Sequence, residues 1–556
     1  MRVLTVVFAL VILAACGERA ARPAPDTVRT ISQGEIVGIE RGEARAWLAV
    51  PYAAAPEGAL RWRAPRPAPL FEGRFEATAH GERCAQITTG FDRVSGERAG
   101  RIAGSEDCLT LDVYAPEGAG PDDAGRPVMV WIHGGGNVWG RSARYDGASL
   151  AAGQDVVVVA IQYRLGPLGF FAHEALRADA ETRADAAANF ALLDMIAALE
   201  WVREDIAAFG GDPGRVTVFG ESAGGHNVAG LLASPLAEGL FHRAIIQSGS
   251  FESVSLREAE RGGRGIANPS GPAAAMITGG QLSAEALRAA DLDAVFGAYE
   301  QTGGAFLNLP RMIADGVTLP AEGLRAALEN PGSFNDVPVI TGVNRDEMKL
   351  FNLFDDNLTR RRFGVLYEAR DPDFYDAISE HQSRAWRVAA VDGPATAMVR
   401  GGHRDVWAYR FDWDEGGSLL GMDMSRLLGA AHAMEIPFVF DHFRYFGPLD
   451  RLLFTRANRE GREALSAEMG ARWAAFARDG EPGEGWARWT PDGALMRFDS
   501  PEGGGPEMIE GGDGFEAMAM DLAADERVSE AQRCQIVRSV MAWRSGAEAL
   551  AAACPD

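Results

Sequence analysis

Short apolar runs without polar alternation recur along the chain. Residues 127–133, 155–163 and 215–219 are rich in Val, Ile and other large apolar side chains. Uninterrupted apolar residues of this kind are typical of strands that are covered on both faces, as in a parallel sheet. Further runs of the same kind are residues 243–248, 337–342 and 405–413. The pattern therefore predicts a central sheet of mainly parallel strands.

Helical spacing of apolar residues separates several of these runs. Within residues 186–209, Leu192, Ile196 and Leu199 recur three or four positions apart, which predicts a long helix. Further helices are predicted at residues 462–478 and 525–545, with an irregular helical segment at 353–399 that forms part of a lid or of the wall of a site. This alternation predicts an α/β fold: a large, mostly parallel central sheet with helices on both faces.

Two polar, glycine-rich stretches, residues 252–268 and 503–514, are predicted to be loops. Neither an internal repeat nor a linker interrupts the pattern of strands and helices. Residues 31–556 are therefore predicted to form one large domain.

The N-terminus has the features of an export signal. Arg2 precedes an apolar run, residues 3–15, which is too short to cross a bilayer but suits a signal peptide. The run ends in Leu-Ala-Ala-Cys, which resembles a bacterial lipobox. We therefore expect residues 1–15 to be a lipoprotein signal peptide, Cys16 to carry lipid, and residues 16–30 to be a flexible tether. An ordinary signal peptide, and with it a soluble exported protein, is the alternative.

The charge of the chain limits its partners. The formal net charge is −24 and the isoelectric point is about 4.9. Such a field repels phosphate backbones, so nucleic-acid binding is not expected, and it favours neutral or cationic ligands. Lys349 is the only lysine, which excludes a Walker-type phosphate loop. No metal-binding motif stands out, and no cofactor is predicted.

A candidate nucleophile follows the run at residues 215–219. The hexapeptide Gly-Glu-Ser-Ala-Gly-Gly at 220–225 lies between this predicted strand and an apolar segment that begins as a helix. Strand, G-x-S-x-G and helix together are the context of a nucleophile elbow, with Ser222 exposed on a sharp turn. A chance Gly-Ser turn is the alternative. The triple glycine after His133 fits a loop whose N–H groups stabilise an oxyanion.

A serine nucleophile needs a histidine base and an orienting carboxylate, which in this context follow in the order serine, acid, histidine. Asp346 and Glu347 come directly after the run at residues 337–342, where a strand ends. The spacing alone does not separate these two neighbouring carboxylates.

Four histidines come later in the chain: His381, His403, His432 and His442. His432 lies in a turn of small residues before an apolar run and is the preferred base. His381 and His403 have polar, arginine-rich surroundings and are expected at the surface. His226 precedes the acid and is expected to be structural.

With these motifs the chain resembles the type-B carboxylesterases, the family of para-nitrobenzyl esterases, animal carboxylesterases and cholinesterases. The matching segments are residues 106–109, 134–136, 163–166, 209–213, 220–225, 247–250, 346–347 and His432. The resemblance implies the α/β-hydrolase fold. It also implies the following roles: Ser222 as nucleophile, Glu347 as acid, His432 as base, Gly135, Gly136 and Ala223 as oxyanion donors, and Glu221 and Ser248 as supporting residues.

The resemblance further implies a Cys84–Cys108 disulfide, and export allows a second bridge. Cys534 and Cys554 then remain as a pair and are 20 residues apart. A continuous helix would hold them about 30 Å apart, beyond the reach of a disulfide. Their pairing therefore requires the terminal helix to break, and 545–546 is the expected place.

The chain also departs from the family pattern. Asn137 replaces an aromatic residue after the glycines, which suggests a more polar pocket rim. The Cys84–Cys108 loop lacks the tryptophan with which cholinesterases bind choline, so cholinesterase activity is not expected. Three aromatic residues, Trp139, Phe351 and Phe354, are expected near the mouth of the site.

The resulting prediction is a serine carboxylic-ester hydrolase that acts through an acyl-enzyme on small to medium, neutral or cationic esters. It would be exported and held by its N-terminal lipid, facing the periplasm or the cell surface. The alternatives are an inactive binding protein with the same fold, and an amidase or carbamate hydrolase with the same triad. The oligomeric state is left open.

Overall fold

The N-terminal segment joins the fold earlier than predicted. The computed structural model describes residues 22–90, 98–123, 125–263, 268–299, 311–330, 332–544 and 546–554. The predicted signal peptide, Cys16 and the first part of the tether lie outside these residues. The prediction of a tether is wrong for its last residues, because Arg29–Ile31 pairs with the strand Gly34–Val37. The indole N–H of Trp47 also donates to the carbonyl of Thr27 at 2.7 Å.

One sheet of eleven strands organises the described chain. In chain order the strands are β1 Ile39–Arg41, β2 Ala44–Pro51, β3 Thr110–Pro116, β4 Arg126–Ile132, β5 Val157–Ile161, β6 Gly211–Glu221, β7 Arg243–Gln247, β8 Val339–Asn344, β9 Val406–Phe411, β10 Ala494–Phe498 and β11 Glu507–Glu510. Across the sheet the order is β1-β2-β3-β5-β4-β6-β7-β8-β9-β10-β11. All neighbours from β5 to β10 are parallel, and the pairs at both ends are antiparallel. The predicted large, mostly parallel sheet is confirmed.

The sheet is covered on both faces. In β4, Val130 packs into one apolar core and its neighbour Trp131 packs into the other. The helix Phe190–Asp205 contributes to the first core, and the helix Arg459–Asp479 contributes to the second. This arrangement explains the absence of polar alternation in the strands, and it confirms the prediction of helices on both faces.

The remaining elements surround the sheet. The α-helices of the described chain are Ala148–Gln154, Gly166–Gly169, Glu174–Ala178, Phe190–Asp205, Ala223–Ala233, Leu256–Arg261, Ser270–Thr278, Ala284–Ala289, Leu292–Gly297, Leu324–Glu329, Lys349–Asn352, Pro372–Arg387, Gly393–Arg400, Met424–Leu427, Ile436–Val439, Asp450–Leu453, Arg459–Asp479, Phe515–Ala524 and Glu530–Met541. The strands outside the main sheet are Arg29–Ile31, Gly34–Val37, Phe75–Glu76, Gln86–Ile87, Ile102–Ala103, Ser253–Ser255, Met312–Ala314, Thr359–Arg362, Leu366–Ala369, Ser418–Leu419 and Met422–Asp423. Among the described residues, no helix has the length and apolar content needed to cross a bilayer.

Both predicted loops contain regular structure. Ser253–Ser255 is a strand, and it leads into the helix Leu256–Arg261. Ser255 and Glu258 cap this helix reciprocally, which offsets its polar composition. In the second stretch, β11 pairs with β10 at the edge of the sheet. Composition did not predict these helices and strands because short elements at the surface can be almost entirely polar.

The two disulfides are as predicted. Cys84 is bonded to Cys108, and Cys534 is bonded to Cys554. The terminal helix is shorter than predicted and ends at Met541, after which Gly546 adopts a left-handed conformation with φ of 80°. This turn allows the chain to double back to Cys534. The break that the pairing requires is therefore present.

His381 and His403 are buried, so the expectation that they lie at the surface is wrong. Nε2 of His381 lies 3.1 Å from a carboxylate oxygen of Asp525, and Nδ1 of His403 contacts Asp336. Each carboxylate comes from a distant segment of the chain, and such pairing is invisible in the local composition around a histidine.

Candidate active site

Ser222 occupies the sharp turn between β6 and the helix Ala223–Ala233. Its φ of 58° and ψ of −120° form a backbone conformation that few residues other than glycine adopt. The main-chain N–H of Ser222 donates to Gln247 O at 2.9 Å. A Cβ added at Gly224 would come within 1.9 Å of Ile132 O, so only glycine lets this helix pass so close to β4. The predicted elbow is present.

The imidazole of His432 is held by a buried carboxylate. Its Nδ1 lies 2.5 Å from Oε2 of Glu347. Glu347 is fully buried, and its other oxygen accepts hydrogen bonds from Ser248 Oγ at 2.5 Å and from the N–H of Asn344 at 2.8 Å. These donors compensate the buried carboxylate and fix its direction. Ser248 therefore contacts the carboxylate that the sequence analysis expected it to support.

Asp346 has a different set of partners. It forms ion pairs with Arg345 at 2.7 Å and with Lys349 at 3.2 Å. Burial alone would raise the pKa of Asp346, but the charges of Lys349 and Arg345 lower it overall. Its carboxylate also accepts the N–H of Ala430 at 3.1 Å, two residues before His432. Asp346 thus anchors the loop that carries the histidine, while Glu347 contacts the ring.

Glu221 contacts the other nitrogen of the imidazole. Its Oε1 lies 3.0 Å from Nε2 of His432, and no hydrogen bond joins Ser222 Oγ to His432 within the described chain. Burial raises the pKa of Glu221 well above its ordinary value. Burial would lower the pKa of His432, but the charges of Glu221 and Glu347 raise it to about 9. Both shifts mean that Glu221 and His432 together retain a proton to higher pH than either would alone.

Glu435 is a further buried carboxylate that the sequence analysis missed. It is fully buried and accepts hydrogen bonds from Gln247 Nε2 at 3.1 Å and from Asn344 Nδ2 at 2.6 Å. Burial, together with the charge of Glu347, raises the pKa of Glu435. It is the only acidic residue between positions 430 and 440, and that isolated charge in an apolar run was the available signal.

In the described parts of the chain, no group of His, Cys, Asp and Glu could hold a metal ion.

The triple-glycine loop lies beside the serine. A Cβ added at Gly134 would lie 3.2 Å from the Cβ of Ser222. Gly135 and Gly136 have φ of 103° and 64°, and their N–H groups donate to no other group in the described chain. Ala223 begins the following helix, so its N–H has no intrahelical acceptor. Unpaired donors on either side of Ser222 are the arrangement that an oxyanion requires.

Asn137 does not make the pocket rim polar, so that expectation is wrong. Its side chain is buried, and it exchanges two hydrogen bonds with the amide of Asn227, of 3.1 Å and 2.8 Å. Its carbonyl accepts the N–H of Gly166 at 2.6 Å. The amide pair ties the glycine loop to the helix that starts after Ser222. Sequence analysis missed it because the two asparagines are distant in the chain.

Aromatic rings cover one side of His432. The ring centres of Phe351 and Trp386 lie 5.2 Å and 4.8 Å from that of the imidazole. The expectation for Phe351 is therefore confirmed, whereas Trp386 was missed within the irregular segment at 353–399. Phe354 packs edge-on against Tyr367, and Trp139 lies under the guanidinium of Arg144. The irregular segment contributes to the wall of the site, as predicted.

Comparisons with known proteins identify the family of the chain. The model of the carboxylesterase family matches residues 25–386. The chain is 34% identical over 490 residues to para-nitrobenzyl esterase of Bacillus subtilis (strain 168), covering 83% of this chain and 91% of that protein. It is also 34% identical over 526 residues to fumonisin B1 esterase of Sphingopyxis macrogoltabida, covering 86% of this chain and 88% of that protein.

Solved structures of esterases have the same fold. A thermophilic para-nitrobenzyl esterase superposes with a TM-score of 0.70 at 28% identity, covering 87% of this chain and 98% of its own. A carboxylesterase of Geobacillus stearothermophilus superposes with a TM-score of 0.67 at 30% identity, covering 88% of this chain and 99% of its own. The sheet and the elbow thus define an α/β-hydrolase. The chain belongs to the carboxylesterase family and is a carboxylic ester hydrolase.

The substitution Glu221→Gln is expected to lower the pKa of His432, because it removes the carboxylate charge that contributes most to raising it. Titration of the imidazole by NMR, with selective histidine labelling, measures this pKa directly. Glu435→Gln is the matched control, since the charge of Glu435 acts on His432 less strongly. An unchanged pKa of His432 in Glu221→Gln, or a larger decrease in Glu435→Gln, would contradict the assignment of Glu221 as the main cause of the raised pKa.

Proposed function

We propose that this esterase works through a Ser222–His432–Glu347 triad and an acyl-enzyme intermediate. The observation that carries the proposal is the 2.5 Å contact between His432 Nδ1 and the fully buried Glu347, beside a serine on a strained turn. Glu347 orients the ring and holds its proton on Nδ1, which leaves Nε2 to act as the base.

In the proposed reaction, Ser222 Oγ attacks the ester carbonyl while His432 takes its proton. The N–H groups of Gly135, Gly136 and Ala223 stabilise the oxyanion. As the carbon–oxygen bond of the ester breaks, His432 gives the proton to the departing alcohol. Water, deprotonated by His432, then attacks the acyl-enzyme and releases the carboxylic acid and free Ser222.

The contact of Glu221 sets a condition for the first step. Nε2 of His432 must give up its proton, to Glu221 or to solvent, and turn from Glu221 to Ser222 before it can accept the proton of the serine. Catalytic hydrogen bonds often close only when substrate binds. Glu221 therefore acts on the base through its charge and takes no part in the bonds to the ester that form and break.

Ser222→Ala is expected to lower the kcat of ester hydrolysis by roughly 10⁴- to 10⁶-fold, because a triad without its nucleophile keeps only binding and oxyanion stabilisation. Glu347→Gln should lower it by roughly 10²- to 10⁴-fold through loss of ring orientation. Asp346→Asn is the matched control and should have a clearly smaller effect. Purified, folded variants are assayed with para-nitrophenyl acetate.

Undiminished turnover in Ser222→Ala, or a larger loss in Asp346→Asn than in Glu347→Gln, would overturn the triad. Labelling with a fluorophosphonate separates the active esterase from an inactive binding protein, because only an activated serine reacts with this probe. The same triad can cleave amides and carbamates, so anilide and carbamate analogues belong in the same assay.

The proposed substrates are esters with short to medium acyl groups. The aromatic wall of Phe351 and Trp386 stands close to His432 and limits the room beside the scissile bond. The similarity to para-nitrobenzyl esterase supports aryl and benzyl esters as test substrates.

Para-nitrophenyl butyrate is therefore expected to be cleaved with a higher kcat/KM than para-nitrophenyl palmitate. The two esters should be compared in the same detergent and at moderate salt, where pocket fit decides rather than long-range charge. A higher kcat/KM for the palmitate would show a long acyl site and contradict this proposal.

We further propose that the protein is exported and held to a membrane through lipid on Cys16. The support is the apolar run of residues 3–15 and the lipobox-like residues 13–16 that end it. The two disulfides agree with an oxidising compartment.

The substitution Cys16→Ser is expected to move the protein from the membrane fraction to the soluble fraction, since it removes the site of lipid attachment. Fractionation of cells that produce the full chain, with immunoblotting, makes the measurement. A variant that stays with the membrane as the native chain does would contradict the proposal.

A further inference from the structure

A buried arginine lies next to the reaction centre. Arg544 follows the terminal helix Glu530–Met541, and its main-chain N–H still donates to Val540 O at 3.0 Å. The Cys534–Cys554 disulfide spans this segment and returns the chain to the helix. The bridge therefore holds the part of the chain that carries Arg544.

Two indole rings hold the Arg544 side chain. Its Cζ lies 3.9 Å from the ring centre of Trp543 and 4.9 Å from that of Trp386. The ring of Trp386 in turn lies 4.8 Å from that of His432. A single indole therefore separates the guanidinium from the imidazole.

The guanidinium of Arg544 has no counter-ion among the described residues. Arg544 is 8% exposed, and its Nε has no hydrogen-bond partner. Within the described chain, no carboxylate lies within ion-pair distance of it. Burial lowers the pKa of Arg544 to about 9, although the charges of Glu252 and Glu347 raise it. Burial of a charge without a partner is unfavourable, because the lost hydration is not replaced.

Arg164 is a buried arginine that has a carboxylate partner. It is 3% exposed, and its guanidinium forms hydrogen bonds to both carboxylate oxygens of Asp194, the shortest of 2.6 Å. Arg462, 6% exposed, also has no carboxylate partner, but it donates to Thr455 O and Asn458 Oδ1. Among the described residues, the guanidinium of Arg544 has neither kind of partner. Arg544 also lies beside the site at which the substrate reacts.

The other charges near Arg544 do not supply that partner. Glu252 is paired with Arg325 at 2.9 Å, and Glu347 is engaged with His432. Arg311 adds a second positive charge close enough to affect the pKa of Arg544. Arg544 is therefore near charges of both signs, and the carboxylates among them are engaged with other partners.

We propose that the guanidinium of Arg544, in contact with Trp543 and with Trp386 beside His432, binds a carboxylate of the substrate. The inference rests on the proposed triad, because it places this carboxylate relative to His432. The preferred substrates are then esters that carry one carboxylate near the scissile bond, on either the acyl or the alcohol side. A guanidinium presents its in-plane N–H donors in a fixed fork that matches a planar carboxylate.

The negative net charge does not oppose such a substrate strongly. Salt screens the field of distant surface charges over about 8 Å at physiological ionic strength. A contact with Arg544 inside the site is not screened in this way. For a single carboxylate the direct contact with Arg544 therefore decides, and the expectation of neutral or cationic esters from net charge alone is replaced by a preference for monoanionic ones.

Two pairs of esters test this inference. For the acyl side, mono-para-nitrophenyl glutarate is compared with its neutral analogue para-nitrophenyl isoheptanoate. For the alcohol side, para-carboxyphenyl acetate is compared with para-nitrophenyl acetate. In each pair the ratio of kcat/KM, anionic over neutral, is measured for the wild type and for Arg544→Met, which keeps length but removes charge.

In at least one pair, Arg544→Met is expected to lower this ratio by roughly 10- to 100-fold, the effect of one charge-assisted hydrogen bond. Arg544→Lys should restore part of it. Arg488→Met is the matched control, because Arg488 also lies over an indole, that of Trp407, but is paired with Asp405 and Glu481. A decrease of at least fivefold supports the inference, and a smaller decrease in both pairs overturns it.

If Arg544→Met does not fold, the glutarate pair in the wild type decides. A ratio above one supports the inference, and a ratio below one overturns it. The proposed triad is tested separately by Ser222→Ala on the neutral esters. If neutral esters require Ser222 but the ratio does not depend on Arg544, the inference fails and the triad stands.

Discussion

The site depends on buried carboxylates that are stabilised at the carboxyl ends of the parallel strands. Glu221 is the last residue of β6, and Asn344, which donates to two carboxylates, is the last residue of β8. The carboxyl ends of parallel strands meet at one edge, which is where function is found in such sheets. Without the donors at these ends, the fully buried Glu347 would be protonated or expelled, and His432 would lose its orientation.

Close backbone packing makes this arrangement possible. The helix after Ser222 passes so near β4 that only glycine fits at position 224. The same proximity brings the glycine loop beside the serine, and the Asn137–Asn227 pair then joins loop and helix. The proposed oxyanion donors thus lie where the glycine loop packs against the elbow and the helix that follows it.

The C-terminal segment adds a feature that the central sheet does not specify. Trp543 and Arg544 reach the reaction centre from the end of the chain, in a segment closed by a disulfide. Arg164 has a protein carboxylate and Arg544 has none, so the energetic cost of burying Arg544 is not met within the described chain. A ligand that supplies the missing carboxylate would gain that stabilisation on binding.

The sequence by itself determined the sheet and the elbow, and through the family pattern it predicted Glu347, the carboxylate that contacts His432, over Asp346. These features are local, because strand periodicity and glycine positions reflect the burial and turns of neighbouring residues. The tertiary structure alone decided the burial of His381, the partners of Glu435, the Asn137–Asn227 pair and the place of Arg544. Each of these depends on a contact between segments far apart in the chain, and no local pattern records which side chain will meet which.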